Sequence, residues 1–385
     1  MSVIVGLVNR RNISLLVAIK KLNPSGVYLI HSGSKRDMYD LADISEFLNN
    51  TYPKLIIKDR RVDCYSCSAI VDTLEQIARV EKGDIVLDLS NGHPVAIAFL
   101  KEASHRKYPV FIFSERDNRA VMIENGSCSE LTLKEVSFEV EDFIESGGGI
   151  VYHKSTAMFD SEEIAGILSW QVQNYPKWLR INRIIKDKAL LKTFGENERE
   201  TRVLLDMKNL NPKNKSLLLE YIYALHRFKL IKMDKQGKSR YFLNFKSLDF
   251  KHYVMTYGSW LEALTYSVVK HLKVMDDIES GVTLLWDKSD NPLSNEIDVM
   301  AAFKGRLVAI SCKDSQRYDE NTLHELELQA YKLGGTSAIK ILVATSLPNK
   351  KMVVERANHM NIHLIVFDGN LNMFYKKFKQ LFAKM

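Results

Sequence analysis

The sequence predicts an α/β protein of three parts, and three features carry that expectation. Over residues 1–150 short apolar runs alternate with helix-length amphipathic stretches. Residues 151–250 change to helical spacing and a basic composition, and 251–385 combine an apolar helix, a hairpin and further α/β pattern. A chain of 385 residues can bury two or three cores of this kind. No run approaches the ~18 consecutive apolar residues of a membrane span. The opening MSVIVGLVNRRN lacks the basic leader and cleavage site of a secretory signal. Four cysteines are too few for a disulfide framework. Cys64 and Cys67 have zinc-like spacing but no second pair of ligands, so they read as two small hydrophobes. A cytoplasmic protein without membrane partners is expected.

In the first part, SVIVGLV (2–8) reads as a strand and SLLVAIKKL (14–22) as a helix. GVYLIHS (26–32), ADISEFLNNTY (42–52), KLIIKD and a helix through VDTLEQIARVE continue the alternation. DIVLDLS (84–90), PVAIAFLKEAS and PVFIFSE complete it, and VSFEVEDFIES (136–146) closes it. Such βαβ units make a mainly parallel, Rossmann-like sheet. The triplet Gly147, Gly148 and Gly149 marks its boundary. In the middle part, EEIAGILSWQV (162–172) is an amphipathic helix that Pro176 ends. NKSLLLEYIYALHRFKLI (214–231) is a second helix. It is followed by two strand-like runs around Gln236 and Gly237, a hairpin signal. Helix plus basic hairpin resembles a winged-helix unit, with packing between domains as the alternative. Helical spacing assigns Trp178, Tyr221 and Tyr223 to a core rather than to base stacking. His226 and His271 are expected in a core or at its boundary. From Lys177 to Arg240 there are 17 Lys or Arg against 7 Asp or Glu, an excess greater than the +7 of the whole chain. A concentrated basic segment in a neutral background fits a phosphate-binding surface or a solvated helical face.

The third part holds the first candidate site. GSWLEALTYSVVKHL is an apolar helix whose lone acid is Glu262, and NEIDVMAAFKGRLVAISCK (295–313) follows as a hairpin. Lys304 and Gly305 suit a two-residue turn, because glycine takes the positive φ such loops need. That register faces Asp298 with Ser311 and Glu296 with Lys313, putting the four on one side. Ile297, Val299, Ile310 and Cys312 would pack on the other. Carboxylates on a strand can hold Mg²⁺ or Mn²⁺ through oxygen, and a neighbouring lysine can orient water or stabilise developing charge. A buried structural ion pair is the alternative.

Taken in order, GSWLE, NEIDV, ISCK and HELELQAYKLGGTSAIKILV resemble the PD-(D/E)XK nuclease fold across roughly residues 257 to 370. They are similar in particular to the CARF-containing nucleases of type III CRISPR immunity. The resemblance implies a CARF sensor domain at 1–150, a winged-helix-like basic linker at 151–250 and a nuclease domain at 251–385. It implies a homodimer activated by a cyclic oligoadenylate, with cyclic tetra-adenylate ahead of cyclic hexa-adenylate. The substrate would be DNA or RNA. Glu262, Glu296, Asp298, Ser311 and Lys313 would be catalytic, with Glu262, Asp298 and Ser311 as metal ligands. Ser311 stands where that superfamily usually has an acid. Glu262 or Glu296 then completes the metal shell, or the metal is weakly held, or the site is impaired.

The second candidate site lies in the first part, where ligands bind beyond the carboxyl ends of parallel strands. Asn9, Arg10, Arg11 and Asn12 follow the first strand, and Ser90, Asn91, Gly92 and His93 follow a later one. Both loops resemble CARF ligand loops. The family pattern Asp-x-Thr-Gly-Gly-Thr-Lys here ends in Pro94, and Arg10 or Lys35 is expected to supply the missing cation. His93 would contact the ligand or cap the turn. Two other readings remain open: a winged-helix regulator with an impaired nuclease domain, and a restriction or repair nuclease whose first domain only mediates contacts.

Overall fold

Alternation in the first 150 residues becomes a doubly wound sheet because each apolar run can pair only when its faces are covered by the helices beside it. The computed structural model describes residues 2–91, 94–105, 107–185, 190–193, 200–256, 258–286, 292–315 and 318–385. Strands β1 (Val3–Leu7), β2 (Gly26–His31), β3 (Ile56–Arg61), β4 (Ile85–Asp88), β5 (Val110–Ser114), β6 (Arg119–Glu124) and β7 (Ser127–Leu131) form one sheet. Their order is β3-β2-β1-β4-β5-β6-β7. The first five are parallel, and β6 and β7 add an antiparallel hairpin. Strand order reverses between β1 and β4, which opens a crevice at their carboxyl ends. Helices start where serine side chains replace missing helical acceptors: Ser34 caps Lys35–Thr51 and Ser66 caps Cys67–Val80.

Strand β8 (Ile150–His153) leaves this unit directly after the glycine triplet and pairs with a strand of the C-terminal sheet. The middle unit holds helices Glu162–Gln173, Tyr175–Ile185 and Pro212–Arg227. It also contains the sheet β11-β12-β10-β9, made by β9 (Leu191–Thr193), β10 (Arg202–Asp206), β11 (Ile231–Gln236) and β12 (Arg240–Phe245). Pro176 stands in the first turn of its helix, where a missing N–H costs nothing. The β11–β12 turn falls on Gly237 at φ 74°. Trp178 and Tyr221 are core residues, but Tyr223, His226 and His271 are exposed, because each lies on the solvent side of an otherwise buried helix.

The C-terminal sheet runs β17-β16-β15-β14-β13-β8, with β13 (Asp277–Leu285), β14 (Ser294–Phe303), β15 (Arg306–Lys313), β16 (Ile339–Ala344) and β17 (Ile362–Val366). One face packs on helices Ser259–His271 and Leu371–Ala383. The other shares a core with the first unit, where Leu16, Phe138 and Val140 join Met300, Ala302, Leu307 and Ala309. No helix among the described residues is long and apolar enough to cross a membrane.

Candidate active site and ligand loops

Lys304 and Gly305 both take left-handed φ, 51° and 67°, which makes the two-residue turn that sets the hairpin register. Phe303 faces Arg306, and the ladder continues to Val299 opposite Ile310. There it stops. The next amide of β15, that of Cys312, donates to the Asp298 carboxylate at 2.5 Å, and the Ser311 hydroxyl donates to the same oxygen at 3.3 Å. The chain turns over at this point. Ile297 packs in the core shared with the first unit, whereas Val299 packs against helix Ser259–His271, so these two residues do not share the face that regular alternation expects. On β13, Gly281 sits between the partners of Val299 and Ile297 with φ 54°, and a Cβ there would collide with Ser155. The irregularity at Asp298 is therefore matched across the sheet by a glycine. It ends the expected direct pairing of Asp298 with Ser311 and of Glu296 with Lys313 as backbone partners, while keeping the side chains close.

Glu262 reaches this place from the first turn of helix Ser259–His271, which begins at Gly258 with φ 98°. Burial pushes the Glu262 carboxyl well above its ordinary value, and the charges of Asp298 and Glu296 push it further, against the pull of Lys313. Burial likewise raises Asp298, although Lys313 and the Cys312 amide favour its ionised form. The Cys312 thiol is buried, 3.5 Å from the Thr265 hydroxyl, and burial beside Asp298 and Glu262 raises it strongly. Glu296 is exposed at the outer rim, and Lys313 is half-buried at the end of β15.

The donor set fits a hard divalent cation. Three carboxylates crowd together here, and for Glu262 and Asp298 burial and the neighbouring acids disfavour the ionised form, a cost that such an ion would relieve. They do not close into a cage. Among the described residues the group of three acids within 4.8 Å of one another is instead Glu141, Asp277 and Glu279. There the Lys154 ammonium already bonds Glu141 and Glu279. An open set of one or two carboxylates, completed by water and phosphate, is the usual way Mg²⁺ is held.

At the carboxyl edge of the first sheet, the loops after β1, β2 and β4 lie side by side. Arg10 is exposed and Asn9 half-buried. Asn12 is buried and donates to the Ser146 carbonyl at 2.8 Å, which ties the loop to the segment before β8. The Arg11 guanidinium lies 5.3 Å from the Tyr331 ring of helix Glu320–Gly334. Ser90 is engaged with Asp88 and the Phe113 amide, and Asn91 donates to Ser14 and to the Arg11 carbonyl. Lys35 opens its helix at the exposed rim. Gly92 and His93 lie outside the described residues. Asp314, which spacing alone did not single out, is buried directly after Lys313 and links three segments. Its signal in the sequence was only a carboxylate at the end of an apolar strand.

The fold and the site define a class: a Rossmann-like unit joined through a middle unit of helices and a small sheet to an α/β unit that carries a cluster of acids and a lysine. Residues 251–383 match the family model described as Card1-like, endonuclease domain. No curated protein matches the chain in sequence. Among solved structures, protein VC1899 from Vibrio cholerae is similar over 99% of this chain and 98% of its own, with a TM-score of 0.76 and 17% identity. Can2 from Sulfobacillus thermosulfidooxidans, solved with cyclic tetra-adenylate, is similar over 99% of both chains, at a TM-score of 0.70 and 14% identity. A type III CRISPR defence DNA nuclease activated by cyclic oligoadenylate is similar over 89% of this chain and 45% of its own, at a TM-score of 0.53 and 16% identity.

Proposed function

We propose that the chain is a cyclic oligoadenylate-activated, metal-dependent endonuclease of type III CRISPR defence. The observation that carries this reading is the convergence of Glu262, Glu296, Asp298 and Lys313 at the break in the β14–β15 ladder. The endonuclease family match and the fold shared with a cyclic tetra-adenylate-bound protein support it. Asp298 and Glu262 would hold Mg²⁺ or Mn²⁺, with Glu296 at the rim and the Ser311 hydroxyl fixing the Asp298 carboxylate. When bound, the metal polarises the scissile phosphate and lowers the pKa of its water. Lys313 stabilises the negative charge that builds on the phosphate oxygens. The half-buried Asp298 is oriented by the Cys312 amide, so its carboxylate is positioned before an ion would bind.

The ligand would bind across a two-fold axis between paired N-terminal units, since a symmetric ring suits a symmetric interface. Arg10, Lys35, Asn9 and the Ser90–Asn91 loop line the crevice it would enter. The activator is assigned as cyclic tetra-adenylate. The substrate is DNA or RNA, and its strandedness is decided by the test. Supercoiled plasmid and labelled single strands are incubated with Mn²⁺, with and without cyclic tetra-adenylate, for wild type and Asp298→Ala. Cleavage that needs the ligand and disappears in the variant is expected. Cleavage independent of any cyclic oligoadenylate would move the chain to the stand-alone nucleases. Sequence-specific binding with no cleavage would favour the winged-helix regulator with a disabled site.

A further inference from the structure

We infer that helix Tyr175–Ile185 is the rail on which the nucleic-acid backbone lies beside the catalytic hairpin, and that buried Asp314 sets its register. This rests on the nuclease reading above and assigns residues to substrate binding within it. Asp314 follows Lys313 directly and is only 7% exposed. One of its oxygens accepts from Asn182 Nδ2 at 2.6 Å and from Trp260 Nε1 at 2.8 Å, and the other accepts from Thr345 Oγ1 at 3.1 Å. Those donors come from the middle-unit helix, from the first turn of the helix that carries Glu262, and from the segment after β16. A single carboxylate therefore fixes the end of the catalytic strand, the acid-bearing helix and the middle unit relative to one another. A buried donor left without its acceptor is costly, so the node resists small displacements.

Aromatic packing holds the same joint. The Trp178 and Trp260 rings lie 5.9 Å apart, and Tyr175 is 6.0 Å from Trp260 and 5.0 Å from Phe367. Tyr175, Trp178 and Asn182 recur at helical spacing and form the buried face. Away from that face, Arg180 and Arg183 are exposed one turn apart, about 4.5 Å along the axis at ~1.5 Å per residue. Lys177 is engaged with Glu220 at 2.7 Å. Arg180 and Arg183 thus stand on the solvent side of the helix whose buried side Asn182 ties to Asp314, the residue after Lys313. Guanidinium groups grip phosphate oxygens by two parallel bonds, so the outer face of this helix carries the chemistry to hold a phosphate backbone.

The test uses the full chain with cyclic tetra-adenylate present. Binding of labelled mixed-sequence single-stranded DNA, and of RNA of the same sequence, is followed by anisotropy over a salt series in the Asp298→Ala background. Arg180→Ala with Arg183→Ala is expected to weaken binding by about tenfold and to flatten the salt slope by about 1.4, from ~0.7 for each lost phosphate contact. In the cleaving chain the same pair raises KM and leaves kcat nearly unchanged. Unaltered affinity and slope for both nucleic acids would overturn the rail. For the register, Asp314→Ala lowers kcat and raises KM, while Asp314→Asn, which keeps an acceptor for Asn182 and Trp260, restores most of both. An Asn variant as poor as Ala, or an Ala variant equal to wild type, would remove Asp314 from the proposal. Should Asp314→Ala fail to fold, Asn182→Ala removes only the helix's bond to Asp314 and leaves the aromatic packing in place, and an unchanged KM there has the same force. A wild-type chain that cleaves nothing yet binds through Arg180 and Arg183 supports the rail and sinks the nuclease reading, so the two fail separately.

Discussion

Asp298 shows how a single side chain can interrupt a strand ladder and cluster with distant acids. Its carboxylate takes the amide that the ladder would have used, and the strand turns over to point it toward Glu262. The acids and the lysine were legible in the sequence because charged residues at one end of an apolar hairpin need an explanation. The break was not, since it depends on Gly281, a residue on a third strand. The raised Glu262 carboxyl has a consequence for the metal-free protein. Its folded pKa lies above the ordinary 4.5, so between those values the folded chain holds a proton that the unfolded chain has released. The stabilisation is fully present below pH 4.5 and is lost as pH rises through the raised value. In EDTA, Glu262→Gln should therefore flatten the fall of Tm from pH 5 upward. The wild-type slope attributable to this group is at most about 1.4 kcal/mol per pH unit. Added Mn²⁺ should raise the wild-type Tm more at pH 8 than at pH 6, because the ion competes with that proton. Equal metal shifts at both pH values would disconnect Glu262 from the metal.

At the scale of elements, local turn chemistry was the most readable part. Lys304 and Gly305, and Gly237, take the backbone their positions require, and Pro176 begins a helix while ending the one before it. The β6–β7 hairpin turns on Asn125 and Gly126, at φ 50° and 79°, and this dipeptide is a stronger signal than Lys-Gly. It went unread because the flanking strands are short and their exposed residues break the apolar run. Strand β8 could not be read at all: four residues gain their partner only when β13 arrives 120 or more residues later. The β14–β15 hairpin gives a direct test of the turn. Alanine at Gly305 must hold a left-handed φ, and its Cβ would press on Phe113 at 3.3 Å. Gly305→Ala should cost about 1–2 kcal/mol, read from the denaturant midpoint. Lys304→Asn should be neutral or slightly stabilising, because asparagine accepts that conformation. A neutral Gly305→Ala would mean that packing around the hairpin, not the turn, sets the register.

For the whole molecule, the decisive feature is that the N-terminal and C-terminal units are not beads on a linker. They share one apolar core, and β8 threads the chain from one into the sheet of the other. The loops at the carboxyl edge of the first sheet reach the same short segment of the C-terminal unit. Arg11 lies over Tyr331, and a Cβ on Gly335 would overlap its guanidinium. Glu115, just after β5, accepts from the Ser337 hydroxyl at 2.8 Å, and the Ser337 carbonyl accepts from Arg306 beside the turn of the β14–β15 hairpin. A ligand that moves the loop after β1 therefore displaces Arg11 against the turn that leads into β16, the neighbour of β15. Such coupling needs a difference in contacts between two states, which these pairs can supply. Tyr331→Ala removes the sensor-side contact without touching the crevice or the acids. Binding of labelled cyclic tetra-adenylate should keep its Kd, while stimulation of cleavage falls by about fivefold or more, the lower end of typical coupling energies. Gly335→Ala, which dislodges Arg11 from the other side, should act in the same direction. Full stimulation in both variants, with wild-type binding, would route the signal through the paired subunit instead of through this contact.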